Sequence, residues 1–366
     1  MSAETDARID PRDALVVGGG IAGIEALMAL ADLGDNRLRV RVVAESTSFV
    51  LPREALGVPW GRPSLHIDLE QLCRAFGARF VLGTVTGVDA DARCVYTSGG
   101  HQLDYERLLL APGARFALSY GVTRTIGFGV LPEALARDMA GSAAIVVPAA
   151  ASWTMPAYQL ALSAAGAGRD VRVLTAEDAP LQAFGPATHA ATSALLDRHE
   201  VVVETGHAPA PGTPISGLAD TVIALPLLGG PAIEGLPLDA QGFVRVDGHM
   251  AVDGLADVHA AGDATRHAIK QGGLAAQQAD TAAAEIVRSC GGATPRIAYD
   301  PVLRGKLTTP DGEELYLQRV LDGRDPGRAA ANPLWHPPGA LCARRLASWL
   351  EFHHADLHPP AVGTPS

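Results

Sequence analysis

The chain has 366 residues, enough for about two domains. With 48% apolar and 19% charged residues, its composition is that of a globular protein and excludes wholesale disorder. A net charge of −11 without any basic run excludes nucleic acid as an expected partner. The cysteines Cys73, Cys94, Cys290 and Cys342 form no CxxC pair and have no zinc spacing. A disulfide framework is not expected, no metal site is expected, and a reduced cytoplasmic location fits. The N-terminal residues are polar and of mixed charge, unlike a signal peptide. The uncharged stretch Ala143 to Gly168 is broken by Pro148, Ser152, Pro156 and Gln159. It therefore predicts a strand, a turn and a helix rather than a membrane span.

In chain order, the first unit is the apolar run Ala14 to Val17, followed by the G-x-G-x-x-G segment Gly18 to Gly23. A helix is predicted next, with Ile24, Leu27, Met28 and Leu30 at helical spacing and Gly34 as its stop. Val40 to Ala44 is a second strand, ending at Glu45. Each residue in this β-α-β unit has a physical task. Gly18 makes the tight turn, Gly20 lets the backbone approach a pyrophosphate, and Gly23 lets helix and strand pack closely. Glu45 is placed to accept hydrogen bonds from a ribose.

Further strands are predicted at Phe80 to Val88, Cys94 to Thr97 and Leu108 to Leu110, the last running into the turn Ala111-Pro112-Gly113. A second α/β segment follows. Its strands are Ala143 to Val147, Val171 to Thr175, Val201 to Glu204 and Thr221 to Leu225. Its helices are expected near Met155 to Ala165 and Thr188 to Arg198. Val258 to Ala261 is a strand ending at Gly262-Asp263, and a helix follows Lys270, Gln271 and a glycine pair. Beyond about residue 300 Pro, Arg and Trp rise, and helical periodicity returns only near Ala340 to Phe352.

Three segments in this order, Val16 to Leu27, Leu108 to Arg115 and Val258 to Thr265, resemble the FAD-dependent pyridine nucleotide-disulfide oxidoreductase type of flavoprotein. The stretches Pro148 to Leu162 and Lys270 to Asp280 are similar to its branch of sulfide:quinone reductases, flavocytochrome c sulfide dehydrogenase flavoprotein subunits and type II NADH dehydrogenases. The resemblance implies an α/β fold of two Rossmann-like three-layer domains, an FAD domain with an inserted NAD-like domain, plus a small C-terminal cap. The expected division is 10–120 and 245–300 for the FAD domain, 121–244 for the insert, and 301–366 for the cap. It implies FAD contacts from Gly18, Gly20, Ile21, Ala22, Gly23, Glu45, Arg53, Val85, Ala111, Gly113, Gly262, Asp263, Lys270 and Gln271. Asp263 would hold the ribityl chain and Lys270 would stand by the flavin's pyrimidine edge. A surface lysine is the alternative for Lys270. His267 in the same loop is a proton carrier or a solvated histidine.

The chain also departs from the family pattern. Where a second glycine fingerprint would follow Val147, the sequence reads Pro148-Ala149-Ala150-Ala151-Ser152-Trp153. Each alanine puts a Cβ where a pyrophosphate would meet backbone, so the insert is read as a degenerate nucleotide-binding domain. Glu177, after the strand Val171 to Thr175, is the residue that could still meet a ribose. Cys73 and Cys94 fall in the FAD half, Cys290 follows a helix, and Cys342 is assigned to the tail helix, so no thiolate relay is expected.

The expected function is an FAD-dependent oxidoreductase. It would pass electrons from a small-molecule donor through the flavin to a quinone or other acceptor. The alternatives are an NAD(P)H:acceptor reductase with an atypical nucleotide turn, and a non-catalytic FAD-binding partner. The tail helix, with Leu346, Trp349, Leu350 and Phe352, is read as a dimer or core contact, with peripheral membrane contact as the minor reading.

Overall fold

The computed structural model describes residues 11–51, 64–120, 124–125, 141–339 and 341–353. Apolar runs buried on both faces make parallel strands, and two such sheets organise the molecule. The first has five parallel strands in the order Val258–Ala260, Arg107–Leu110, Arg12–Val17, Leu38–Ala44, Arg79–Leu82. Its central strand is closed to water from Ala14 to Val17. Helix α1 (Ile21–Leu33) covers it. Helix α2 (Leu69–Ala75) is capped by Asp68, whose carboxylate accepts from Gln71 N–H at 2.8 Å.

The second sheet is also parallel, ordered Arg124–Thr125, Thr221–Ala224, Ala143–Val147, Val171–Thr175, Val201–Glu204. Helices α3 (Met155–Gly166) and α4 (His189–Arg198) connect its strands. A two-stranded ribbon, Arg115–Ala117 against Leu227–Gly229, joins the two halves. Ile233, Leu236 and Leu238 lie ahead of the 244/245 boundary read from the sequence, yet they pack into the core of the first sheet.

Helix α5 (Gly272–Ser289) lies against α1, and the match is made by small residues. Ala26 and Ala29 of α1, and Ala275, Ala276, Ala279, Ala282 and Ala283 of α5, are all buried. Short side chains let the two helix axes approach closely.

Two expectations are corrected. Phe80 to Val88 is not one strand: it breaks at Gly83-Thr84 into Arg79–Leu82 of the first sheet and Val85–Asp89 of an antiparallel three-stranded sheet. Beyond residue 300 there is regular structure before the tail helix. Val302–Thr308, Glu314–Val320 and Arg328–Ala330 form an antiparallel sheet. Its Leu303, Leu307, Leu315 and Leu317 join the core of the second sheet. Gly305 leaves room there: a Cβ at this position would come within 2.4 Å of the Met155 Cε.

The tail helix α6 (Arg344–His353) is a core contact. Leu346 and Leu350 are buried, and the helix lies on α1. Its N-terminus is held by a residue of α1. The Glu25 carboxylate accepts from Arg345 N–H at 2.7 Å and Leu346 N–H at 2.8 Å. Arg345 also pairs with Asp32 at 2.8 Å and with Asp280. Burial, then the nearby Asp280 carboxylate, push the Glu25 pKa up to about 7, against the two N–H bonds and the Arg345 charge.

A carboxyl group raised in this way favours the fold when protonated. Its stabilisation is present below about pH 4.5 and is lost as the pH rises through about 7. The unfolding free energy of wild type minus that of Glu25→Gln, measured in urea at about pH 5 and about pH 8, should fall by about 1–3 kcal/mol across that window. An unchanged difference would mean that this carboxylate titrates as it does in water.

Candidate active site: two crevices at two sheet edges

The strand order of the first sheet reverses beside Arg12–Val17. Its neighbour on one side, Leu38–Ala44, comes next in the chain, whereas Arg107–Leu110 on the other side comes much later. Such a reversal opens a crevice at the carboxyl ends of the strands, where ligands of this architecture bind. Backbone bonds tie the turns there together. Gly18 N–H donates to Val43 at 2.8 Å, Ala111 N–H to Val17 at 2.7 Å, and Ala261 N–H to Leu110 at 2.8 Å.

The three fingerprint glycines do different work. Gly18 has φ +112°, and a Cβ on it would stand 2.0 Å from the Ala111 carbonyl oxygen. A Cβ on Gly23 would stand 2.0 Å from the Gly18 carbonyl oxygen. Gly20 would meet no protein atom within 4 Å, so the space in front of it is open to a ligand. No side chain caps α1 at Gly20, which leaves the N–H groups of its first turn, at Ile21, Ala22 and Gly23, to be satisfied from the crevice.

The other residues expected here fall into place around this edge. Glu45 is exposed just past the end of Leu38–Ala44. Ala111 is buried, and Gly113 turns at φ +77° with open space before it. Val85 is buried at the start of its antiparallel strand, paired with Thr97. Arg53 lies outside the described residues.

Gly262, at φ +77°, donates its N–H to Gln278 Oε1 at 2.7 Å and accepts from the Thr265 hydroxyl at 2.9 Å. A Cβ on it would sit 3.0 Å from the Ala22 Cβ, so this turn leans on the first turn of α1. Next to it, the Asp263 carboxylate makes no hydrogen bond among the described residues. Burial raises its pKa, and the Lys270 ammonium opposes that rise.

Lys270 is not a surface lysine. It is 6% exposed, its ammonium donates to the Thr265 carbonyl, and it lies 3.8 Å from the centre of the Phe243 ring. Burial brings its pKa down to about 8 against the pull of Asp263 and Asp239. Gln271 caps α5 by accepting from Leu274 N–H at 2.8 Å. His267 is half-buried, edge-on to Tyr299 at 5.1 Å, and burial followed by the Lys270 and Arg266 charges lowers its pKa.

The second sheet has the same reversal of order, between Ala143–Val147 and Thr221–Ala224. Its turn is built differently. In the first sheet, α1 begins at Ile21 after a strand ending at Val17. Here the strand ends at Val147 and α3 begins only at Met155. At this widened turn lies a cleft of about 580 Å³, lined among others by Trp153, Glu177, Asp178, Gln182, Ile269 and Arg319.

Glu177 is not free to meet a ribose. Its carboxylate accepts from Tyr158 OH at 2.7 Å, from the Thr154 hydroxyl at 3.1 Å, from Gln182 N–H at 3.2 Å and from the Thr175 hydroxyl at 3.3 Å. Thr154 and Tyr158 stand at the start of α3, so their hydroxyls tie this carboxylate beside that end of the helix. Burial raises its pKa and the four donors pull it back. Only the ionised form can accept from all four.

The cysteines are all free. Cys342 stands before α6 rather than in it, and packs against the first turn of α5. A Cβ on Gly273 would approach the Cys342 Cβ to 3.2 Å. Burial pushes its thiol up to about 12 and the Cys73 thiol up to about 11.

The model of the pyridine nucleotide-disulphide oxidoreductase family matches residues 12–211. Among solved structures, the sulfide:quinone oxidoreductase of the hyperthermophilic bacterium Aquifex aeolicus superposes with a TM-score of 0.71 at 17% identity, over 87% of each chain. Putidaredoxin reductase, in its covalent complex with putidaredoxin, gives 0.65 at 21% identity over 85% of this chain and 82% of its own. The water-forming NADH oxidase of Lactobacillus brevis gives 0.63 at 15% identity over 84% and 75%. At these identities the superpositions speak to the fold.

Thiol reactivity follows the thiolate fraction and exposure. Iodoacetamide at about pH 7.5 should label Cys290 in the native protein and leave Cys73, Cys94 and Cys342 protected until the chain is unfolded, as read by peptide mass spectrometry. Rapid native labelling of Cys342 would show a thiol far more acidic than its burial allows.

Proposed function

Because the chain belongs to the pyridine nucleotide-disulphide oxidoreductase family and is an FAD-dependent oxidoreductase, we propose that it takes electrons from a small donor other than NAD(P)H and passes them to a quinone or another acceptor, without a cysteine relay. The observation that carries this reading is the contrast between the two sheet edges. The first has open space at Gly20 beside an uncapped helix end. The second has alanines, a widened turn and a carboxylate that engages the Thr154 and Tyr158 hydroxyls at the start of α3.

The residues of the first crevice fit FAD. Gly20 leaves the space that a pyrophosphate fills, and the N–H groups of Ile21, Ala22 and Gly23 would hold its charge. Glu45 would accept from the ribose hydroxyls. The unpartnered Asp263 carboxylate would accept from a hydroxyl of the ribityl chain. Gly113 and Ala111 would line the crevice floor. Lys270 and the N-terminus of α5 place positive charge on that side, which favours a partner that gains negative charge. FAD, when bound, supplies the two-electron chemistry at its N5. The protein orients it, shields it from water and sets the charge around it.

Several observations support the remaining parts of the reading. The raised thiols of Cys73 and Cys342 argue against a thiolate relay. The likeness to a sulfide:quinone oxidoreductase supports a quinone among the acceptors. No helix among the described residues is long and apolar enough to cross a membrane, so an acceptor in a bilayer would be met at its surface. The expected division of labour completes the proposal, with residues 10–120 and 245–300 holding FAD, 121–244 as an insert that has lost its nucleotide role, and 301–366 as a cap.

The test is cofactor content together with anaerobic reduction. Purified protein should hold about one FAD per chain. Gly20→Val should lose it while keeping the wild-type far-ultraviolet circular dichroism, because a Cβ there meets no protein atom within 4 Å and the side chain fills the pyrophosphate's place. NADH and NADPH should reduce the flavin without saturating at millimolar concentration. Saturable reduction with a micromolar constant would overturn the donor assignment, and an FAD-replete Gly20→Val protein would overturn the site.

A further inference from the structure

The cleft of the second sheet is a feature that the proposed chemistry leaves unused. Its volume of about 580 Å³ is in the range of small-molecule sites. It lies at the reversal of a parallel sheet, the place where this architecture gathers ligands. It is also joined to the flavin side of the molecule. Ala268 and Ile269 line it, and the next residue, Lys270, donates its N–H to the Ser152 carbonyl at 3.2 Å.

The charge in the cleft selects against anions. Two carboxylates line it, Glu177 and Asp178. Glu177 consumes the donors that an incoming phosphate would need, namely the hydroxyls of Thr154 and Tyr158 and the N–H of Gln182. Arg319 is the cation on the wall. Its guanidinium gives two of its five N–H groups to the carbonyls of Asp325 at 2.9 Å and Ala183 at 3.0 Å, and its charge is shared with the carboxylates of Asp322 and Asp325. The turn adds methyl groups from Ala149 and Ala151 and the indole of Trp153, which is tilted against Phe184 at 5.9 Å. An indole face and small apolar groups suit a flat ring, and a carboxylate beside them suits a cation.

We infer that this cleft binds a phosphate-free aromatic molecule, uncharged or cationic, between Trp153 and Glu177. The inference rests on the reading that the insert has lost its nucleotide role, and it deepens that reading by naming what the site takes instead. The hydroxyls of Thr154 and Tyr158 at the start of α3, which an incoming phosphate could use, are here taken by the protein's own carboxylate. What remains is the ring-binding half of a site, with its phosphate half closed.

The experiment compares two probes that share one ring, 1-benzylnicotinamide, a phosphate-free cation, and nicotinamide mononucleotide, which carries a phosphate. Binding is measured by calorimetry on the full chain with its cofactor, at low and at moderate salt. 1-Benzylnicotinamide should bind at least about ten-fold more tightly than the mononucleotide at low salt, and the gap should narrow as salt screens the carboxylates. Trp153→Ala should weaken the benzyl probe several-fold. Glu177→Gln should narrow the gap between the probes by improving the mononucleotide. If Glu177→Gln does not fold, the salt dependence and Trp153→Ala carry the test without it. Equal or tighter binding of the mononucleotide would overturn the inference. So would no measurable binding of the benzyl probe at millimolar concentration, or benzyl binding indifferent to Trp153. Flavin content is read separately by absorbance. A colourless protein would sink the proposed oxidoreductase function without touching this binding result, and a yellow protein that ignores the benzyl probe would do the reverse.

Discussion

Backbone against backbone, at Gly23 and Gly18, is the contact on which the rest of the architecture depends. A single Cβ at Gly23 would stand 2.0 Å from the Gly18 carbonyl oxygen, and one at Gly18 equally close to the Ala111 carbonyl oxygen. Real Cβ atoms do not tolerate such approaches, so helix, turn and neighbouring strand would have to separate. Their closeness brings the uncapped end of α1 to the point where the strand order reverses. It also lets the Gly262 turn lean on Ala22, which carries Asp263 to the same edge. Strands far apart in the chain thereby deliver an open helix end, and a carboxylate with no hydrogen bond among the described residues, to one crevice.

The second sheet shows what happens when that constraint is relaxed. With no glycine after Val147 the turn widens, α3 starts later, and a cleft opens where backbone would have been cradled. Glu177 engages the Thr154 and Tyr158 hydroxyls beside the start of α3. A buried carboxylate costs desolvation free energy unless its lone pairs are met, and here four donors meet them. The same sheet architecture thus presents an open, uncapped helix end in one half and a cleft lined by two carboxylates in the other.

Much of this was legible in the sequence because it is local. The fingerprint glycines, Glu45 and the Gly262-Asp263 turn sit next to apolar runs whose periods name their elements, and helix α3 follows from the spacing in Met155 to Ala165. What was illegible is what depends on contacts made at a distance. The roles of Glu25 and Glu177 need partners that are remote in the chain or hidden in a turn. The burial of Lys270 depends on Phe243, which no local pattern places beside it. The strand Val302–Thr308 escaped because Gly305 interrupts its apolar face and the polar Lys306 and Thr308 are buried through contacts that no local pattern shows. Cys342 was assigned to the helix it precedes, a matter of two residues, and the error concealed its packing on Gly273. Arg53 lies outside the described residues.

The placement of strand Val258–Ala260 and of helices α5 and α6 has a consequence for how the chain is made. The first sheet cannot be completed from the first third of the sequence, since its edge strand, the helix beside α1 and the helix capped by Glu25 all come late. The strands Ala143–Val147 to Thr221–Ala224 of the second sheet are contiguous by comparison. During synthesis from the N-terminus, the strands of the inserted half can therefore pair early, but its core also waits for Leu303, Leu307, Leu315 and Leu317. Both halves close late, and until Arg345 and Leu346 leave the ribosome, Glu25 has no helix end to hold.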